Sequence, residues 1–122
     1  MSKRSIIQLS EFDITQKIIE SLSNVCTRSV LFAVKNESKD VTQIASELKI
    51  SLSTVYKTLS TLEDLALAEV DRYEISPEGK KIKLYRSRIG KVEIILDDLE
   101  PTLSLHPNLT NSANTASAPV LS

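Results

Sequence analysis

Two groups of polar side chains carry the chemistry this sequence can do. The first is Ser51, Ser53, Thr54 and Lys57, continued by Ser60 and Thr61. On a helix advancing about 100° per residue from Val55, Leu59 and Leu62 fall close to Val55, while Ser53 and Lys57 fall on the opposite side, flanked by Thr54, Ser60 and Thr61. Hydroxyls and one ammonium on a single face suit hydrogen bonding and ion pairing to a polyanion. They break no covalent bond. The second group is Lys80, Lys81, Lys83, Arg86, Arg88 and Lys91, with no acidic residue between Gly79 and Val92. The net charge is only -1, but a near-neutral chain can present one basic surface. Catalysis is a poor fit. The sole histidine is His106, the sole cysteine Cys26, and no carboxylates form an acid–base pair. With 2 glycines, phosphate loops of the GxGxxG or GxxxxGK type are excluded. One Cys and one His also exclude a zinc cluster or a disulfide framework. No catalytic residue, metal or cofactor is expected.

The elements that must hold these residues follow from periodicity and capping. Ser10 is a suitable N-cap for a first helix carrying Ile14, Ile18, Ile19 and Leu22. Asn24 can cap a second helix with Val30, Leu31 and Val34 inward, ending in the polar turn Asn36–Lys39. Asp40 and Gln43 are spaced as a capping-box variant, opening a short third helix with Ile44, Ala45 and Leu48 inside. Ser51 can cap the fourth, over about 52–64, where Leu52, Val55, Leu59 and Leu62 face one way. After Leu67 the period changes to two. Ser76-Pro77-Glu78-Gly79 reads as a turn, and Lys81–Arg86 as the returning strand of a hairpin. Gly90 interrupts that strand. The run Lys91–Leu96 is a third strand, a continuation of the second past a bulge, or the start of a hairpin with Leu103 and Leu105.

The chain has 122 residues, 41% hydrophobic and 25% charged, with 4% aromatics and no Trp. One domain with an aliphatic core is expected. Lys3 and Arg4 are not followed by a long apolar run, and no stretch approaches the roughly 20 apolar residues of a membrane span. A soluble cytoplasmic protein is expected. Residues 1–9 read as a flexible N-terminus and 98–122 as a mostly disordered tail, because Pro101–Ser122 has no charged residue and no sustained apolar pattern. Cys26 reads as a small core or boundary residue. Asn108-Leu109-Thr110 matches a glycosylation sequon by chance.

A short helix, a corner filled by Leu48 and Ile50, a second helix with a free outer face and a hairpin wing form a winged helix-turn-helix. The run Ile44-Ala45-x-x-Leu48-x-Ile50-Ser51-x-Ser53-Thr54-Val55-Tyr56-x-x-Leu59-x-x-Leu62-x-x-Leu65-Ala66-Leu67 resembles the winged helix-turn-helix of ArsR-like and MarR-like transcriptional regulators. Leu22-Ser23-Asn24-x-x-x-Arg28-x-x-Leu31 is similar to the second helix of ArsR-like members. Gly79-Lys80-Lys81-x-x-x-Tyr85-Arg86-Ser87-Arg88-Ile89 resembles the wing of archaeal members. The resemblance implies that Ser51, Ser53, Thr54, Tyr56 and Lys57 lie at DNA, that Thr42 and Gln43 meet phosphate, and that Lys80 and Lys81 are wing contacts. Thr61 and Lys83 complete the expected DNA-binding set. Two positions depart from the family pattern. Ala66 stands where the family usually has Gly; if the site needs positive φ, Ala costs about 1 kcal/mol there. The paired cysteines of metal-sensing members are missing, which counts against arsenic or cadmium sensing.

The expected fold is mainly α with a small β-hairpin wing (α+β), the winged helix-turn-helix occupying residues 10–97. The expected function is sequence-specific double-stranded DNA binding in transcriptional regulation, with helix 52–64 in the major groove and the wing at about 67–88 on the flanking backbone. One module touches few phosphates, so a homodimer reading two half-sites is expected. The Ile14, Ile18, Ile19, Leu22 helix and the strand after Gly90 are its candidate surfaces. The alternative is a winged-helix protein–protein adaptor that does not bind DNA. Tyr56 either reads a base or is half-packed. Neither an effector ligand nor the direction of regulation is legible.

Overall fold

Side-chain caps set most of the helix boundaries. In a computed structural model that describes the backbone of residues 3–110 and the side chains of residues 13–110, the order is α1 (Lys3–Ser23), α2 (Val25–Ala33), α3 (Val41–Leu48), α4 (Leu52–Asp64), β1 (Ala68–Ile75), β2 (Lys81–Ser87), β3 (Ile89–Ile95) and β4 (Thr102–Pro107). The mainly α fold with a hairpin wing is therefore present. Asn24 Oδ1 accepts from the Thr27 N–H at 3.1 Å and opens α2. Asp40 and Gln43 form the reciprocal capping box of α3, at 2.8 and 2.9 Å. Ser51 Oγ accepts from the Thr54 N–H at 3.1 Å and opens α4. Each cap satisfies a helix N–H that has no partner within its own helix.

α1 differs from expectation. It begins at Lys3, so Ser10, expected to cap it, is an interior residue, and the stretch expected to be loose contributes from Lys3 onward. The segment from Lys3 to Leu9 holds neither Gly nor Pro, and nothing there stops the helix. At its other end Arg28 Nη1 donates to the Leu22 and Ser23 carbonyls at 2.8 and 3.1 Å, satisfying acceptors that the helix leaves open.

The core joins Ile18 and Leu22 of α1, Val30, Leu31 and Val34, Ile44, then Val55, Leu59 and Leu62 of α4, with Leu67, Tyr85 and Ile89 from the sheet region. Leu52 does not belong to it and is exposed. A helical side chain leans over the turn before it, and as the first residue of α4 Leu52 has no such turn.

β1 and β2 pair antiparallel, with a bulge between Val70 and Arg72. Their turn closes through the Gly79 N–H to the Ser76 carbonyl at 2.8 Å, with Gly79 at φ 86, a backbone that favours glycine. β3 and β4 form a second antiparallel pair. Of the three readings of Lys91–Leu96, the hairpin with Leu103 and Leu105 is the one found. This corrects the expectation that 98–122 is a mostly disordered tail: Thr102–Pro107 is a strand, and residues 111–122 lie outside the described residues. Charge was a misleading guide, because cross-strand pairs Val92 with Leu105 and Ile94 with Leu103 supply what a strand needs. His106 is likewise a strand residue, with Nε2 2.7 Å from Glu93 Oε1. That hydrogen bond is the main influence holding the Glu93 carboxyl below its ordinary pKa, and Lys91 adds to it.

Asn108 ties the two hairpins to the helices. It is buried, and its amide Nδ2 donates to the Lys35 and Ser87 carbonyls at 2.8 Å each. Its sequon is thus occupied by structure. The Asn108 N–H reaches the Arg88 carbonyl at 2.8 Å, and Arg86 donates back to the Asn108 and Thr110 carbonyls. Cys26 is half-buried, in keeping with a boundary residue. Among the described residues no helix is long and apolar enough to cross a membrane.

Ala66 has φ 60. The chain must reverse from α4 into the wing here, and the Leu67 N–H returns to the Leu62 carbonyl at 2.8 Å. An L-residue in this conformation brings its Cβ too close to the neighbouring carbonyl oxygen. Ala66→Gly is expected to raise stability by up to about 1 kcal/mol, seen as a higher urea midpoint at unchanged slope. A lower midpoint would mean that the αL geometry is not strained.

Candidate nucleic-acid interface

The buried side of α4 decides what its outer side can offer. Val55, Leu59 and Leu62 are essentially inaccessible, which turns Ser53, Tyr56, Lys57 and Ser60 outward, all exposed. Tyr56 is 57% exposed, so its ring is partly packed and partly open to solvent. Lys57 forms no ion pair with a described carboxylate, and neither do Lys80 and Lys83.

Not every hydroxyl of the set is available. Ser51 spends its lone pair on the Thr54 N–H and donates to Thr54 Oγ1 at 2.8 Å. Gln43 uses Oε1 for the capping box, which leaves its Nε2 as the donor. Thr42 is exposed at the start of α3. Thr61 stands apart: its hydroxyl donates to the Lys57 carbonyl at 3.2 Å. It lines a different groove, with Ile14, Lys17 and Leu65, between α1 and the end of α4. The structure does not bring Thr61 to the other candidates.

The remaining residues converge. Thr42 of α3, Tyr56 of α4 and Lys80, Lys81 and Lys83 of the wing line one groove of about 530 Å³, with Asp40, Val41, Ile82 and Tyr85 as its floor and rim. Two residues in or beside this groove, Tyr85 and Tyr73, were not among the expected contacts. Tyr73 lies under Lys81, whose Nζ is 4.4 Å from the ring centroid, a contact that holds the ammonium in place without neutralising it. The register opposite Lys83 would have found Tyr73 on the same face as Lys81. Tyr85 is buried, and burial, with Glu63 acting in the same direction, pushes its phenol pKa up, so the hydroxyl stays neutral.

The wing is fixed to the helices at several points. Lys39, in the loop before α3, exchanges backbone hydrogen bonds with Tyr85 at 3.1 and 2.8 Å. The Lys39 ammonium is held by Glu47 at 2.7 and 2.9 Å. Ser38 Oγ donates to Asp71 Oδ2 at 2.6 Å, at the β1 bulge. These contacts bring the wing lysines and Tyr56 of α4 to one groove. The arrangement offers hydroxyl and amide donors beside a row of ammonium groups, a surface for phosphate oxygens flanking base edges. Among the described residues no group of His, Cys, Asp or Glu could hold a metal.

Comparison with known proteins bears on the family of the chain. Residues 28–70 match a family described as "Bacterial regulatory protein, arsR family". An uncharacterized HTH-type transcriptional regulator of Methanocaldococcus jannaschii is 33% identical over 79 residues, spanning 64% of this chain and 80% of that protein.

If Lys57 and Lys81 each contact one phosphate, Lys57→Ala and Lys81→Ala each lower the slope of log affinity against log salt by about 0.9. Fluorescence anisotropy on a duplex at several salt concentrations measures this. Unchanged slopes in both variants would place the phosphates elsewhere.

Proposed function

Since the chain belongs to the ArsR-like family of winged helix-turn-helix transcriptional regulators, we propose that this DNA-binding regulator reads a specific double-stranded sequence with α4 in the major groove and its wing on the flanking backbone. The observation that carries this is the single groove shared by Thr42, Tyr56, Lys80, Lys81 and Lys83, joined by the outward Ser53 and Lys57. Thr42 and the Gln43 amide meet phosphate at the α3 N-terminus, where unpaired N–H groups favour anions. Ser53 and Tyr56 approach base edges. Lys57, Lys80, Lys81 and Lys83 neutralise the backbone. Ser51 and Thr54 act mainly by fixing the start of α4. The protein works in the cytoplasm as a homodimer, because one such module contacts too little DNA for tight, selective binding.

Selection of bound duplexes from a random pool tests this reading. The expected result is enrichment of one motif repeated as a palindrome with half-sites about one helical turn apart. Ser53→Ala and Tyr56→Ala should then change the preferred bases inside each half-site. No retention of DNA at any salt concentration would overturn the proposal and favour a protein–protein adaptor.

A further inference from the structure

The β3–β4 hairpin exposes far more apolar surface than its size accounts for. Ile94, Ile95, Leu96, Leu99, Leu105 and Leu109 are exposed, Leu96 at 74% and Leu99 at 92%. A concentration of this kind marks an interaction surface. Among the described residues the hairpin stands as a two-stranded sheet, and such a sheet is marginal without something packed on it. Val92, Ile94, Leu103 and Leu105 share one face by register. Val92 and Leu103 meet the core, whereas Ile94 and Leu105 do not.

Among the described residues no strand pairs with the outer edge of β4, and that edge narrows the occupant. A strand's outer row of N–H and C=O groups invites another strand unless charged residues guard it. β4, Thr102–Pro107, contains no Lys, Arg, Asp or Glu, whereas β3 carries Lys91 and Glu93. The charges lie at the two ends. The tip between β3 and β4 holds Asp97, Asp98 and Glu100 and no base, while the root holds Arg88 and Lys91, both well exposed and each in one long ion pair, with Glu69 at 3.8 Å and with Glu93 at 3.9 Å. When β4 pairs antiparallel with a second β4 about a two-fold axis, the acidic tip of one copy meets the basic root of the other, twice. A second copy of this chain therefore satisfies edge, apolar face and charge together. Of the described α1 stripe, Ile18 and Leu22 are already consumed by the core and Ile14 is exposed.

We infer that β4 pairs with β4 of a second copy, building a four-stranded sheet as the homodimer interface. This rests on the proposed function only in that the dimer there has two copies. The hairpin grows from the wing root, at the end of β2 remote from the Ser76–Gly79 turn, and leaves the α4–wing groove open.

Charge reversal tests the pairing in the full chain at residues that do not line the α4–wing groove. One variant carries Asp97→Lys and Asp98→Lys, the other Arg88→Glu and Lys91→Glu. In sedimentation equilibrium the unaltered chain is dimeric, and each variant alone dissociates at least about tenfold more readily. Mixing the two variants restores a dimer, because each tip then faces a root of opposite sign. Leu105→Glu weakens the dimer further, while Ile75→Glu at the wing does not. Cross-linking guards against misfolding: in a Cys26→Ser background, Leu105→Cys forms a disulfide-linked dimer on oxidation and Ile75→Cys does not. A monomeric unaltered chain, or variants that dimerise as it does with no gain on mixing, overturns the inference. Anisotropy on a single half-site duplex keeps the two readings apart. Loss of DNA binding by the unaltered chain with intact charge-swap behaviour sinks the proposed function alone. DNA binding with unaffected dimers sinks this inference alone.

Discussion

Burial of one side of α4 is the constraint on which the rest depends. Val55, Leu59 and Leu62 each contribute on the order of 2 kcal/mol by leaving water, and they do so only at one rotation of the helix. A half turn of that helix would expose these three and bury Lys57, whose ammonium would lose its hydration. The apolar pattern thus fixes the direction of the polar one. The hydroxyls and ammonium of the outer face need no interaction of their own to stay outward.

The wing depends on the same core through different bonds. Lys39 pairs its backbone with Tyr85, and Ser38 reaches Asp71 at the β1 bulge. Ser87 and Arg88 are tied by their N–H groups to the carbonyls of Val34 and Leu67. These links run between residues far apart in sequence. They join the loop before α3, the end of α2 and the turn after α4 to the strands, so the wing lysines and α4 face one groove as a unit. Ala66, held at positive φ, is the local cost of the tight passage from α4 into β1.

Most of the helical part was legible because its signals are local. Asn24, Asp40 with Gln43, and Ser51 act on N–H groups three residues away, and the apolar spacing of Val55, Leu59 and Leu62 stands in about two turns of helix. The strain at Ala66 was legible only through the family resemblance, since the family usually has Gly at that position. What sequence reasoning missed is non-local. β4 reads as polar and charge-free until β3 is beside it, and Asn108 reads as a sequon until Lys35 and Ser87 surround its amide. Within the site, Thr61 sits on the expected face of α4 yet lines another groove, since a helical wheel carries no information on how far along the helix the wing reaches. Tyr73 gained its role only from the register that sets it under Lys81.

The account stands on the outer face of α4 and the wing lysines acting together on a duplex. Titrating the isotope-labelled protein with the selected duplex, and following its amide resonances, tests this most directly. The account requires the largest changes at Ser53–Lys57 and Lys80–Lys83, with the groove around Ile14 and Thr61 little affected. Changes concentrated in that second groove, with the resonances of α4 from Ser53 to Lys57 unmoved, would contradict it.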